Sequence, residues 1–139
     1  MNKIQEETEV DEIARSARKQ SVAPFSKFLV GAAVKAASGK IYSGCNIESA
    51  SYGLTVCAER VAIWKALSEG ERDFTELSIV ADTDTLTPPC GTCRQIIWEF
   101  CKNATIKLLN LHGKSEVVSI RDLLPRAFDA RFLKEGKHD

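Results

Sequence analysis

Cys57-Ala58-Glu59 and, further along, Pro89-Cys90-Gly91-Thr92-Cys93 are the stretches that decide this chain. Three thiolates fill three corners of a zinc tetrahedron, and a catalytic zinc keeps its fourth corner open for water. Glu59, beside the first thiol, is a poor fourth ligand but a good carrier for that water's proton. A lone C-x-x-C reads as a redox motif or half a zinc ribbon. C-x-E followed by P-C-x-x-C narrows the reading to an open metal site.

Working outward, Cys57, Val61 and Trp64 fall at i, i+4 and i+7, and Cys93, Ile96, Ile97 and Phe100 at i, i+3, i+4 and i+7. Each series predicts a helix with its thiol on the buried face. Thiols at the start of a helix meet unpaired N–H groups and a partial positive charge, which favour the thiolate zinc requires. Three thiolates around one Zn²⁺ leave an excess negative charge. Arg60, one turn after Cys57, is placed to offset it as an outer neighbour of the metal ligands. Glu59 lies about 200° around an ideal helix from Cys57. The two side chains converge only at a first turn, where they can meet ahead of the axis. A closed structural site would need a fourth ligand from His112, His138, Cys45 or Cys101. Neither histidine has ligand-pair spacing, so the open site is the expectation. Cys45 and Cys101 read as small buried thiols.

Val10, Ile13, Ala14 and Ala17 predict an opening helix, ended by Ser21-Val-Ala-Pro24. Phe28–Ala37 and Lys40–Asn46 read as strands joined by a Ser38-Gly39 turn. A polar loop leads to Thr55 as the expected N-cap of a helix over Cys57–Glu69, stopped by Gly70. Leu77–Ala81, Thr105–Leu111 and Glu116–Val118 read as strands, Cys90–Cys101 as a helix, and Ile120–Leu124 as a short helix broken by Pro125. This order predicts an α/β fold of three layers, α/β/α, with a mixed sheet of about five strands.

The chain has 139 residues, the size of one ordinary domain, and no repeat or linker divides it, so residues 1–139 are expected to form a single unit. Its 19 basic and 19 acidic residues are interspersed, giving formal net charge +0, which argues against nucleic acid as a substrate. No apolar run approaches the roughly 20 residues a membrane span needs. Met1–Gln20 is charged with both signs and lacks a secretory signal's apolar stretch. A cytoplasmic, reducing location follows as the expectation, and an odd count of five cysteines fits ligands better than disulfides.

With these motifs the chain resembles the small homotetrameric cytidine deaminases of pyrimidine salvage, a branch of the zinc deaminases with cysteine where other branches place histidine. The resemblance runs from Ala23-Pro-Phe-Ser-Lys-Phe-Leu-Val-Gly-Ala-Ala33 through Gly44-Cys-Asn-Ile-Glu48, Ser51-Tyr-Gly-Leu-Thr55, Cys57-Ala-Glu-Arg60, Lys65-Ala-Leu-Ser-Glu-Gly70 and Pro89-Cys-Gly-Thr-Cys-Arg-Gln95 to Leu123-Leu-Pro125. It implies zinc on Cys57, Cys90 and Cys93, and Glu59 as proton shuttle. It also implies Asn46 and Glu48 on the ribose hydroxyls, Phe28 against the pyrimidine, and the Ala58 N–H on the base. Tyr52 and Phe128 match positions that reach into a neighbouring subunit's pocket in that family. From the residues alone, Phe28 reads as a core aromatic, and Asn46 and Glu48 as a turn at a strand end. Two departures stand out: Phe25 replaces the family's usual tyrosine, and Pro88 replaces its usual serine before Pro89-Cys90. The implied activity is hydrolysis of cytidine or 2′-deoxycytidine to the uracil nucleoside and ammonia. The rivals are a deaminase of an antibiotic nucleoside such as blasticidin S and a non-catalytic zinc assembly module.

Overall fold

Small side chains in the middle of Val30–Ala36 (β1) allow helices to close on this strand from both faces. In the computed structural model, residues 7–136 are described; residues 1–6 of the N-terminal segment, and His138, lie outside them. Glu9–Arg18 (α1) precedes β1, and Ile41–Cys45 (β2) follows it. Ala58–Ser68 (α2), Phe74–Ala81 (β3) and Gly91–Phe100 (α3) come next. Thr105–Leu109 (β4), Ser115–Val118 (β5), Ile120–Leu123 (α4) and Ala130–Glu135 (α5) complete the order.

The five strands lie in the order β2-β1-β3-β4-β5. β1 is antiparallel to both neighbours, with Gly31 opposite Cys45 on one side and Val80 on the other. β3 and β4 are parallel, so the chain must cross over between them, and α3 lies in that connection. β5 returns antiparallel. Val10 and Ala14 of α1 pack with Ala33, Val80 and Leu109 on one face. Ala62 and Ile63 of α2 and Ile97 of α3 pack with Val34, Leu77, Ile79 and Ile106 on the other. The fold is α/β, a mixed five-stranded sheet between helical layers.

Two glycines set the closeness of those layers. A Cβ on Gly31 would sit 2.1 Å from the Ala14 carbonyl of α1, and one on Gly44 would sit 2.4 Å from the Ala58 carbonyl of α2. The α1 layer is also pinned by a buried carboxylate. Ser78 Oγ donates to Asp11 Oδ1 at 2.6 Å and Lys107 Nζ to Oδ2 at 2.7 Å. Burial alone would raise the Asp11 pKa, but these bonds and the Thr8 N–H outweigh it and hold the carboxyl below its usual range.

The departures from the sequence reading have local causes. β1 starts at Val30 rather than Phe28 because the Asn46 side chain takes the Phe28 carbonyl and the Val30 N–H. β4 stops at Leu109 because Asn110 turns the chain, its Oδ1 accepting from His112 N and Lys114 N. Thr55 is not the N-cap of α2; Cys57 is, and Thr55 Oγ1 instead accepts from Ser49 N. Trp64 and Phe100 leave their expected buried faces and are 47% and 42% exposed. α2 is apolar over most of its circumference, so spacing alone did not single out the core face that Ala58, Ala62, Ile63 and Ala66 occupy. The six-residue α5, capped by the Asp129 side chain, is too short to show a period and was not expected.

Candidate active site

Cys57 and Cys90 are the N-caps of α2 and α3, both in extended backbone, and neither side chain caps its helix. Their sulfurs are therefore free to face each other across the two helix starts. Cys93, buried in the first turn of α3, completes the cluster. Cys57 Sγ and Cys90 Sγ are 3.7 Å apart, although the residues are 33 positions apart in the chain. All three sulfurs lie within 4.8 Å of one another. Thiolates at about 2.3 Å from a tetrahedral zinc are about 3.8 Å from each other. The donor set thus fits Zn²⁺, and among the described residues no fourth His, Cys, Asp or Glu joins it.

Electrostatics favour the thiolate at Cys57 but not at Cys93, whose thiol is pushed up first by its hydrogen bond to Cys57 and then by burial and the Glu59 charge, so a bound cation would have to draw off that proton. The Cys57 thiol is drawn down to about 5, foremost by its hydrogen bond with Cys93, with Arg60 and Cys90 adding against the effect of burial. Arg60 Nη2 lies 3.9 Å from Cys57 Sγ and donates to the Thr55 carbonyl at 3.2 Å. Its guanidinium sits over the Trp64 ring, 5.5 Å from the centroid. The half-exposed Trp64 therefore holds the arginine in place instead of filling the core. Cys45 and Cys101 stand apart from the cluster, and burial raises both thiols, Cys101 to about 12.

Glu59 is only 4% exposed. Burial pushes its carboxyl up to about 7; its own N–H and the Cys93 thiol draw it down, while the Cys57 charge adds to the rise. A carboxyl poised near neutrality can both take and give a proton. Its position on the first turn of α2 resolves the angular difficulty, because Cys57 is the cap and not a mid-helix residue.

Glu59, Ala58, Cys57 and Cys90 border a cleft of ≈ 280 Å³ that Phe28, Asn46 and Glu48 also line. The first-turn N–H groups of α2, that of Ala58 included, have no partner within the helix. Asn46 Nδ2 donates to the Phe28 carbonyl at 2.7 Å, and its Oδ1 accepts from Val30 N at 2.9 Å. Glu48 Oε1 accepts from Phe25 N and Ser26 N at 2.9 and 3.0 Å, and Oε2 from the Ser26 hydroxyl. The Ser26 bonds foremost hold the Glu48 carboxyl below its usual range. These two residues thus fold the 25–28 loop over the cleft as well as lining it.

Tyr52 and Phe128 do not line this cleft in their own chain. Tyr52 is 75% exposed and meets the Phe25 ring edge-on, with centroids 5.8 Å apart; Phe128 is 56% exposed and stacks on Phe132. Ser26, Val56, Ile79 and Thr87 line the cleft and were not singled out from the sequence, and Pro88 joins them. The proximity of Thr87 to Cys90 was the available signal for one of them.

Residues 4–108 match the family model described as the cytidine and deoxycytidylate deaminase zinc-binding region. A cytidine deaminase of Sporosarcina psychrophila is 50% identical over 121 residues, covering 86% of this chain and 89% of that protein. The crystal structure of a cytidine deaminase from Burkholderia pseudomallei superposes with TM-score 0.83 at 42% identity, covering 88% of this chain and 100% of that one. A more distant relative, a blasticidin-S deaminase of Bacillus cereus, is 33% identical and covers 72% of this chain and 76% of that protein. Likeness of this extent, with the three sulfurs already gathered at two helix starts, means that the chain belongs to the cytidine and deoxycytidylate deaminase family.

Proposed function

We propose that this protein is a zinc-dependent hydrolase that converts cytidine and 2′-deoxycytidine, with water, to uridine and 2′-deoxyuridine and ammonia. The observation that carries the reading is a buried Glu59 carboxyl next to the Cys57–Cys90–Cys93 cluster, at a cleft of nucleoside size. Zinc held by the three thiolates supplies a Lewis acid that lowers the pKa of water towards ~7. Glu59 takes one proton of the attacking water and delivers it to ring N3 as C4 becomes tetrahedral. It then takes the remaining proton from the new C4 hydroxyl and gives it to the departing amine as the C4 carbonyl forms. Burial supports this role, since a carboxyl near 7 loses little in either direction. Arg60 steadies the Cys57 thiolate, and Ala58 offers its free N–H to the base. Phe28 packs against the pyrimidine, and Asn46 Oδ1 and the Glu48 carboxylate accept from the ribose hydroxyls with the lone pairs left open by their bonds to Val30 N and to the Phe25–Ser26 segment.

We further propose a single domain working as a homotetramer in cytoplasmic pyrimidine salvage. α5 supports assembly. It is tied inward by polar bonds, Trp98 Nε1 to Asp129 and Gln95 Nε2 to the Phe128 carbonyl, while Phe128, Phe132 and Leu133 remain half-exposed or more. Such a surface is costly in water and is covered in a closed symmetric assembly, where Tyr52 and Phe128 would reach a neighbour's cleft. Reduced cysteines, which the metal site needs, support the compartment. No helix of the described residues is long and apolar enough to cross a membrane.

The test is loss of cytidine absorbance with zinc-loaded protein, with ammonia measured in parallel. Equimolar release of uridine and ammonia is expected. Bound zinc with no turnover would leave an assembly module, and preferential turnover of blasticidin S would move the substrate to the antibiotic class of the Bacillus cereus relative.

A further inference from the structure

Thr87 and Pro88 line the cleft just ahead of Pro89-Cys90. Their support comes from the turn after β4. Asn110 is only 3% exposed, and both polar atoms of its side chain are bonded. Oδ1 accepts from His112 N at 2.9 Å and Lys114 N at 3.0 Å, and Nδ2 donates to the Thr83 carbonyl at 3.0 Å. Thr83 Oγ1 is in turn 2.8 Å from Thr87 Oγ1. Two outer bonds fasten the same segment: His112 Nε2 to Asp82 Oδ1 at 3.1 Å, and Lys114 Nζ to the Asp84 carbonyl at 3.4 Å. Between the inner links Leu86 is buried in the core. Pro88 and Pro89 then fix φ at two successive positions, so a shift of Thr87 is passed along the chain and not absorbed by it. Arg94 Nε holds the far end, donating to the Pro89 carbonyl at 2.8 Å.

We propose that Asn110 and Thr83 are positioning residues that set the affinity for the nucleoside by fixing the Thr87–Pro88 wall of the cleft from the turn of the β4–β5 hairpin, which adjoins the loop leaving β3. Only an amide serves at position 110. One oxygen must accept from two N–H groups while a nitrogen donates to a carbonyl, and a carboxylate would face that carbonyl with a lone pair. The inference rests on the deaminase reading, because it takes the cleft to hold a nucleoside.

The experiment uses Asn110→Asp, which keeps the acceptor for the hairpin turn and loses the donor to Thr83. Thr83→Val and Thr87→Val each remove the hydroxyl link without touching Asn110. Each should raise KM for cytidine and weaken the calorimetric Kd of the product uridine, which is not turned over, at least ~3-fold. For Asn110→Asp and Thr83→Val, at positions that do not line the cleft, kcat within about twofold and one zinc per chain retained assign the effect to the wall and not to the metal. Asn110→Asp combined with Thr87→Val should be no worse than the stronger single change, since residues on one path do not add. Unchanged Kd in all three variants, multiplying effects, or loss of zinc in step with kcat would overturn the proposal. If Asn110→Asp fails to fold, the two valine variants decide it. Wild-type protein that binds cytidine without deaminating it would sink the activity, and the Kd comparison would still decide the wall; wild type that binds no cytidine sinks both.

Discussion

At the scale of single residues, Glu59 carries the sharpest expectations. Glu59→Gln should retain zinc and nucleoside binding yet lose at least ~10² in turnover, the lower end for a positioned proton carrier. Near-normal turnover by a zinc-replete variant would remove Glu59 from the mechanism. The same substitution reads out burial in the metal-free protein. Wild-type Glu59 has its folded pKa raised from 4.5 to about 7, so the stability its neutral form contributes is complete below 4.5 and is lost as pH rises through about 7. Relative to wild type, the glutamine variant should gain stability between those values by on the order of 3 kcal/mol and then level off. Urea unfolding at pH 4.5, 6 and 8 measures it; a flat difference would mean that the carboxyl is not desolvated. The gathering of Cys57, Cys90 and Cys93 was legible because zinc ligation demands that residue type at fixed spacing, and the place of Glu59 because it stands two residues from the first of these thiols. Asn110 was not, because its links run to main-chain groups that leave no pattern in side-chain identity, and the Thr83–Thr87 hydroxyl pair carries no spacing that chemistry demands.

At the scale of elements, the two close-approach glycines separate structure from site. Gly31→Ala drives a methyl into the backbone of α1, and Gly44→Ala drives one into the first turn of α2, at the Ala58 carbonyl and Ala62 N. Both should cost about 1–3 kcal/mol and lower Tm, as overpacking does. Only Gly44→Ala should also lower turnover and zinc affinity, because α2 carries Cys57 and Glu59. Equal activity in the two variants would show that the α2 start tolerates displacement. Element order, the hairpin and both site helices were readable from period and turn residues. The exposed placement of Trp64, the early end of β4 and α5 were not. The first depends on which neighbour covers a helix apolar nearly all round, the second on one side chain's bonds, and the third on a segment too short for a period.

At the scale of the whole molecule, the outward face of α5 predicts assembly. Phe132→Ser with Leu133→Ser changes residues that are 48% and 65% exposed, so the isolated fold should persist while light scattering reports a smaller particle and cytidine affinity falls. A fully active wild-type species at monomer mass would end the shared-cleft idea. The joining of Cys57 to Cys90 across 33 positions has a further consequence, for synthesis. A ribosome adds about 5–20 residues per second, so each new chain carries its first ligand thiol, Cys57, for about 2–7 s before the second, Cys90, is made. During that interval there is one ligand and no site. Metal must enter after translation has passed the start of α3, and until then protection of the Cys57 thiol falls to the reductants of the cell.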